Sequence, residues 1–211
     1  MKRCVIIGGA PVNNYKRTAE YLRGDDYVVY CDSGLRHMEG LGVKPDLIVG
    51  DFDSHENPMM ETETIVLPCE KDDTDTVFAV KEALKRGFDD FLLLGAAGGR
   101  LDHTLANVSI LLDLHSRGKK AVLVDDFSEM SVAGSQWTEI SSEYPFFSLL
   151  NISGTARGVT IENAKYPLEG AEITCEYQYG VSNEVLPEKT ARVKVEEGRL
   201  LLIKVLSLSA V

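Results

Sequence analysis

The chain has 211 residues, of which 44% are hydrophobic and 26% charged, as in an ordinary soluble globular protein. Its formal net charge of −11 argues against nucleic acid or an anionic membrane as the main partner, because both repel an acidic surface. The four cysteines form no C-x-x-C pair, so nothing suggests a zinc site, and scattered thiols favour a reducing, cytoplasmic location. The first apolar run is too short for a signal peptide, and no run reaches transmembrane length.

The first half of the chain alternates strand-like and helix-like patterns, which is typical of a parallel, Rossmann-like α/β sheet. Six short apolar runs are predicted to be strands: Cys4–Ile7, Tyr27–Tyr30, Leu47–Val49, Thr64–Leu67, Phe91–Leu94 and Ala121–Val124. Four helices are predicted between them: Asn14–Arg23, Leu35–Leu41, Thr74–Arg86 and Leu101–Ser116.

The second half lacks any long 3.6-residue period. Glycines and prolines instead separate short β-type runs, which indicates a smaller antiparallel β-sandwich. The predicted strands are Glu129–Val132, Trp137–Ile140, Phe146–Ile152, Ala156–Ile161, Ala171–Cys175, Thr190–Val195 and Leu200–Val205. We therefore expect two domains, residues 1–127 and residues 128–211.

Two aspartates, Asp51 and Asp53, directly follow the apolar strand Leu47–Val49. In an extended backbone, residues i and i+2 point to the same side, so the two carboxylates lie together and repel each other. A cation between them removes that repulsion, and ligation by oxygen alone points to Mg²⁺. An acidic turn without a metal is the alternative.

Three further polar clusters also follow predicted strands: Asp32-Ser33-Gly34, Lys71-Asp72-Asp73-Thr74-Asp75, and Gly95 through His103. Ligands of open α/β sheets bind outside the carboxyl ends of the strands, so we expect these clusters to meet there. A site that holds Asp32, Asp51, Asp53 and Asp75 would repel itself strongly, and Mg²⁺ with a polyphosphate would resolve this.

Gly95–Gly99 is a strand-to-helix turn whose backbone N–H groups can approach phosphate oxygens. It matches neither the Walker A loop nor the G-x-G-x-x-G fingerprint. Arg100 suits a phosphate clamp. Asp102 and His103 could hold a metal or a reacting hydroxyl, although a histidine at a helix start can equally cap or pack. At the start of the preceding predicted helix, Thr74–Arg86, Asp73 is the expected N-cap.

With these motifs, in this order and spacing, the chain resembles the thiamine pyrophosphokinase family nearly end to end. In the second half, Gly158-Val159-Thr160, Lys165-Tyr166-Pro167-Leu168 and Gly180-Val181-Ser182-Asn183-Glu184 are similar to the thiamine-side motifs of that family. The resemblance implies an ATP- and Mg²⁺-binding catalytic α/β domain, a thiamine-binding β-sandwich and a homodimer. It also implies transfer of a diphosphate from ATP to the thiamine hydroxyl, with release of AMP.

The resemblance also implies roles for individual residues. The catalytic group is Asp51, Asp53, Asp75 and Asp102, the first three of which hold the metal. The groups that bind ATP or its phosphates are Asp32, Gly34, Lys71, Asp72, Thr74, Gly98, Gly99, Arg100, His103 and Asn107. The thiamine-binding group is Thr160, Tyr166, Ser182 and Asn183.

Three points stay open at the level of sequence. Either Asp75 or Asp102 could accept the proton of the thiamine hydroxyl. The alternative functions are a pyrophosphokinase for another alcohol, such as a hydroxymethylpterin, and a nucleotide-binding sensor without turnover. Without its flanking motif, Tyr166 would be interpreted as an aromatic of the sandwich core.

Overall fold

The structure is a computed structural model, and it describes residues 2–52, 61–70 and 72–206. The chain divides into two compact units, Met1–Asp126 and Phe127–Val211. Two predicted site residues, Asp53 and Lys71, lie outside the described ranges.

The first unit contains six strands and four α-helices in its described part, and every strand predicted for this half is present. The strands are β1 (Arg3–Ile7), β2 (Tyr27–Cys31), β3 (Leu47–Gly50), β4 (Glu63–Val66), β5 (Asp90–Leu94) and β6 (Lys120–Val124). The helices are α1 (Tyr15–Ala19), α2 (Met38–Leu41), α3 (Asp75–Lys85) and α4 (Leu101–Ser116), and a 3₁₀ segment spans Asp32–His37.

These six strands are parallel and lie side by side in the order β4-β3-β2-β1-β5-β6. The chain moves outward from β1 to β4, then returns to the other side of β1 with β5. The order therefore reverses between β1 and β5, and ligands of open α/β sheets bind at such a switch point. The predicted Rossmann-like parallel sheet is confirmed.

The strands of the first unit are short and apolar because helices cover both faces of a parallel sheet. All five residues of β1 are buried, and the core continues into side chains of the neighbouring strands. Val5, Tyr30, Ile48 and Leu92 belong to one such cluster. Burying a side chain of this size contributes about 1.5–3 kcal/mol.

Two of the predicted helices differ from the structure. Helix α1 ends at Ala19 because the next amides bond three residues back, from Glu20 N to Arg17 O and from Tyr21 N to Thr18 O, as in 3₁₀ turns. The prediction of one helix over Leu35–Leu41 is wrong in its first turn, which belongs to the 3₁₀ segment. Helix α4 has the predicted bounds.

The loop between β1 and α1 is held by the last residue of the first unit. The carboxylate of Asp126 accepts hydrogen bonds from the backbone N–H of Asn13 at 2.9 Å and of Asn14 at 2.9 Å. It also accepts one from Asn13 Nδ2 at 2.8 Å. These bonds join two parts of the chain that are more than 110 residues apart, and they fix the loop that follows β1.

The second unit is an antiparallel β-sandwich, as predicted. Its strands are β7 (Ser128–Ala133), β8 (Thr138–Ile140), β9 (Phe146–Leu150), β10 (Thr155–Glu162), β11 (Leu168–Thr174), β12 (Ala191–Glu197) and β13 (Leu200–Val205). Strands β7, β13 and β9 pair side by side in that order. The other four strands form a separate sheet with the order β11-β10-β12-β8.

Alternate residues of both sheets form the core of the sandwich. Phe147 and Leu149 of β9 belong to the same fully buried cluster as Val193 and Val195 of β12. The period of two residues is the one expected for strands with a single buried face.

Helix α4, with 16 residues, is the longest helix in the described ranges, and no helix there is long and apolar enough to cross a membrane.

We predict that Gly34→Ala destabilises the protein by about 1–3 kcal/mol or more, because the added methyl group overpacks the sheet. A Cβ atom on Gly34 would lie 2.2 Å from the carbonyl oxygen of Ile7, a backbone atom that cannot move aside alone. Urea unfolding measures the loss. Gly24→Ala is the matched control, since a Cβ atom there meets no heavy atom within 4 Å. Equal stability of the two variants would contradict this packing argument.

Candidate active site

A cavity of about 550 Å³ opens at the switch point of the parallel sheet. Its wall is built from the segments that follow β1, β2, β3 and β5, and from the first turns of α3 and α4. Residues of all four predicted polar clusters, which follow β2, β3, β4 and β5, line this cavity, and the segment after β1 is an addition.

Three carboxylates meet in the cavity. Asp32, Asp51 and Asp75 each offer one oxygen, and the three oxygens lie within 4.8 Å of one another. Asp32 is only 3% exposed, and the other two residues are half-buried. Because all donors are carboxylate oxygens, the set fits a hard cation such as Mg²⁺.

Local backbone packing brings these acids together. Asp32 begins the 3₁₀ segment after β2, and Asp51 follows the neighbouring strand β3. A Cβ atom on Gly50 would lie 2.7 Å from Cβ of Asp32, so glycine allows this close approach. Asp75 stands in the first turn of α3, where the helix dipole favours an acid.

The cap of α3 differs from the prediction. Thr74, not Asp73, is the N-cap, and its side-chain oxygen accepts a hydrogen bond from Val77 N at 3.3 Å. Asp73 instead forms an ion pair with Lys81 at 2.6 Å. Thr74 extends the cavity wall beside Asp75, whereas Asp72 faces a separate groove with Phe78.

The turn after β5 lines the opposite wall with backbone. Gly95, Gly98 and Gly99 all have positive φ, a conformation that side chains disfavour. Two side chains of α4 hold this turn: Asn107 Nδ2 donates to Ala96 O at 2.7 Å, and Thr104 Oγ1 accepts from Gly98 N at 3.0 Å. The turn therefore offers a fixed, unencumbered backbone surface.

Arg100 and Asp102 form an exposed ion pair at the start of α4, with Nη2 and Oδ2 2.5 Å apart. The hydrogen bond from Arg100 is the main cause that lowers the pKa of Asp102, to about 2. Arg100 and His103 line the cavity, but Asp102 does not. The carboxylate of Asp102 is therefore a weak base that faces solvent.

The loop after β1 forms a further part of the wall, and sequence reasoning missed it. Gly8 N donates to Leu94 O at 2.9 Å and Ala10 N donates to Gly95 O at 2.8 Å, so this loop is joined to the turn after β5. The pair Gly8-Gly9 after an apolar strand was the signal available in the sequence. Arg36 also lines the cavity, and no pattern marked it.

His37 supports that loop from inside the unit. Its Nε2 lies 2.9 Å from Ala10 O, which can only accept, so Nε2 carries the proton. Nδ1 then accepts from the hydroxyl of Tyr15 at 2.8 Å. Burial lowers the pKa of His37, and the neutral ring satisfies both bonds.

Cys31 is the thiol of the cavity wall. Burial is the main cause that raises the pKa of this thiol far above neutrality, and the negative charge of Asp75 is the second cause. The thiol remains protonated, so Cys31 has no role as a nucleophile at neutral pH.

In the second unit, Tyr166 and Asn183 hold each other. Tyr166 N donates to Asn183 Oδ1 at 3.0 Å, and Asn183 Nδ2 donates to Tyr166 O at 2.8 Å. Asn183 is also paired through its backbone with Phe147 of β9, and Ser182 N donates to Ser148 Oγ at 3.0 Å.

The ring of Tyr166 is not part of the sandwich core, since the residue is 58% exposed. Lys165 Nζ lies 5.6 Å from its ring centroid, and Lys165 is itself paired with Glu184 at 2.6 Å. Thr160 makes a different contact, because its hydroxyl accepts from Gly170 N at 3.4 Å. Of the four predicted thiamine-side residues, Ser182 and Asn183 are hydrogen-bonded to β9, and Tyr166 is hydrogen-bonded to Asn183. The fourth, Thr160, lies on β10.

Comparison with known proteins identifies the family. The catalytic domain of thiamin pyrophosphokinase matches residues 18–123, and its vitamin B1 binding domain matches residues 137–200. The chain is 27% identical to thiamine pyrophosphokinase of Bacillus subtilis (strain 168), over 97% of this chain and 99% of that protein.

Solved structures agree. Thiamin pyrophosphokinase from Geobacillus thermodenitrificans has a TM-score of 0.84 and 26% identity, over 99% of this chain and all of that one. The fold of the Bacillus subtilis enzyme matches with a TM-score of 0.86, at 23% identity in the structural alignment, over 98% of this chain and all of that one. The chain belongs to the thiamin pyrophosphokinase family.

Proposed function

We propose that this enzyme transfers a diphosphate from ATP to the hydroxyl of thiamine, which gives thiamine diphosphate and AMP. The observation that carries the proposal is that Asp32, Asp51 and Asp75 meet in one cavity at the switch point of the parallel sheet. The family match of the catalytic domain covers this region. The hydroxyl oxygen attacks the β-phosphorus of ATP. The bond from that phosphorus to the bridging oxygen of the α-phosphate breaks, and AMP leaves with the bridging oxygen.

Mg²⁺ fits the three carboxylates by donor type, and when bound it would neutralise phosphate charge. Asp32, Asp51 and Asp75 would hold it, and Asp53 keeps its predicted metal role although it lies outside the described residues. The positive-φ turn of Gly98 and Gly99 would receive phosphate oxygens through its backbone N–H groups.

The cavity side chains would then orient the phosphates. Arg100, which precedes α4, and His103 in its first turn line the cavity and are suited to bind phosphate, and Asn107 holds the turn after β5 in place. Thr74 places Asp75 through its cap, and Gly34 holds Asp32 through close packing on β1. Lys71 and Asp72 keep the phosphate-side roles that the resemblance implies.

The proton of the thiamine hydroxyl needs an acceptor. Asp102 has a pKa of about 2 and lies outside the cavity wall, whereas Asp75 lies in that wall. This geometry favours Asp75. Transfers of phosphorus groups depend mainly on positioning and charge, so a weak carboxylate base is sufficient.

Thiamine would be held by the second unit. The exposed face of Tyr166 suits the thiazolium cation, and the bonds of Asn183 and Ser182 fix the neighbouring backbone. Thr160 keeps the thiamine-side role that the resemblance implies. The match to a vitamin B1 binding domain favours thiamine over a hydroxymethylpterin.

The direct test is incubation of the protein with Mg²⁺, ATP and thiamine, followed by chromatography of the products. Thiamine diphosphate and AMP in equal amounts are expected. ADP with thiamine monophosphate would indicate transfer of a single phosphoryl group. Product from a hydroxymethylpterin but none from thiamine would support the other pyrophosphokinase, and binding of ATP without product would support a sensor.

We predict that Asp51→Asn lowers kcat by at least about 100-fold while the protein stays folded, because it removes a charged ligand from the metal set. Steady-state kinetics and a melting curve measure the two effects. Asp113→Asn is the control, since Asp113 lies on α4 away from the cavity wall and its side chain forms an exposed pair with Arg117. Asp53→Asn is expected to behave like Asp51→Asn. Near-normal turnover of either site variant at limiting Mg²⁺ would refute the metal assignment.

We predict that Tyr166→Ala raises the KM for thiamine by about tenfold or more and leaves the KM for ATP and the melting temperature nearly unchanged. The lost interaction is stacking of an exposed ring on the ligand cation. Tyr166→Trp is expected to retain binding. The exposed Tyr177→Ala serves as control. An equal loss for both substrates with a large drop in melting temperature would show a structural role instead.

We further propose the homodimer that the family resemblance implies. Light scattering at the assay concentration is expected to give twice the mass of the 23.2 kDa chain. A fully active monomer would refute it.

A further inference from the structure

Arg36 reaches the candidate active site from the 3₁₀ segment that begins at Asp32. Its side chain lines the same cavity as the three carboxylates. Arg36 Nε donates to Ser33 O at 2.8 Å, which fixes the near end of the guanidinium. The four N–H groups of the two terminal nitrogens remain as donors for an acceptor in the cavity.

The ion pairing of Arg36 differs from that of most other arginines. Within the described ranges, no carboxylate lies within 4.0 Å of its guanidinium. By the same measure, seven other arginines do have an acidic partner: Arg3, Arg23, Arg86, Arg100, Arg117, Arg157 and Arg192. The chain has 33 acidic residues against 22 lysines and arginines, so acidic partners are abundant. An arginine with no acidic partner among the described residues, in the wall of a cavity that also holds three carboxylates, is suited to an anion from outside.

The charges of the cavity favour a polyphosphate as that anion. A phosphate chain that enters must approach three carboxylates, and cationic side chains in the wall offset their repulsion. Arg100 is one such cation, but it already bonds Asp102, so that pair must open or be shared before it binds phosphate. Arg36 has no such pair with any residue that the structure describes, and its planar guanidinium matches two phosphate oxygens.

We propose that Arg36 binds the phosphate chain of the nucleotide and acts as a preformed cation of the cavity. The inference rests on the proposed function for the identity of the nucleotide. Arg36 contributes mainly to nucleotide affinity, and the thiamine side in the second unit is independent of it.

Calorimetric titration with α,β-methylene ATP and Mg²⁺ tests this inference, because the methylene group blocks the cleavage that the reaction requires. Arg36→Gln is expected to raise the Kd of this analogue by about tenfold or more. Arg36→Lys keeps the charge but loses the fork, so its Kd is expected to lie between those of the wild type and Arg36→Gln. The KM for thiamine is expected to stay unchanged in both.

Arg117→Gln is the matched control. It removes the same charge from an exposed pair with Asp113, and its Kd is expected to stay within about twofold of the wild type. A Kd for Arg36→Gln that also stays within this range would overturn the inference. A fall in melting temperature with equal loss for both substrates would overturn it too, because Arg36 would then act only through Ser33.

The experiments distinguish failure of the proposed function from failure of the proposed role of Arg36. Wild-type protein that binds the analogue but makes no thiamine diphosphate would refute the proposed function, and a Kd raised in Arg36→Gln alone would still support the role of Arg36.

Discussion

Mutual repulsion of three carboxylates is the constraint on which the arrangement of the first unit depends. Two unit charges 4.8 Å apart repel by roughly 3.5 kcal/mol at an effective dielectric constant near 20, and the oxygens of Asp32, Asp51 and Asp75 form three pairs at or below this distance. The fold withstands this because backbone contacts, rather than the acids themselves, fix their positions. Gly50 lets Asp32 approach β3, and Gly34 lets the 3₁₀ segment lie against the carbonyl of Ile7. The same rigidity keeps the acids ready for a cation.

The sequence was sufficient for the architecture because short apolar runs mark the strands in both halves, and only the first half has helix-like segments between them. Short apolar runs between amphipathic segments predict a parallel sheet, and that sheet brings the ends of β1, β2, β3 and β5 to one edge. The meeting of Asp32, Asp51 and Asp75 follows from this topology without knowledge of any side-chain contact. In the second half, short β-type runs separated by glycines and prolines predict the sandwich.

Side-chain directions in the loops were beyond the sequence, because they depend on contacts made elsewhere in the chain. The side chain of Asp102 pairs with Arg100 instead of facing the cavity. The side chain of Asp73 pairs with Lys81 instead of capping α3. Arg36 carried no signal, since a single arginine in a helical segment is usually solvated. The backbone of Tyr166 is held by two hydrogen bonds with the side chain of Asn183, and its ring is exposed. These bonds join residues that are 17 positions apart in the sequence. Such long-range bonds leave no local pattern.

The contact of Asp126 with Asn13 and Asn14 has a consequence for the order of assembly. The loop after β1 forms part of the cavity wall, yet the carboxylate that fixes it is the last residue of the first unit. On the ribosome, the chain emerges from its N-terminus, so the bonds of Asp126 with Asn13 and Asn14 form only after the whole first unit has been translated. A nascent chain that stops just short of Asp126 therefore contains the acids and all six parallel strands of the first unit, but it lacks these hydrogen bonds.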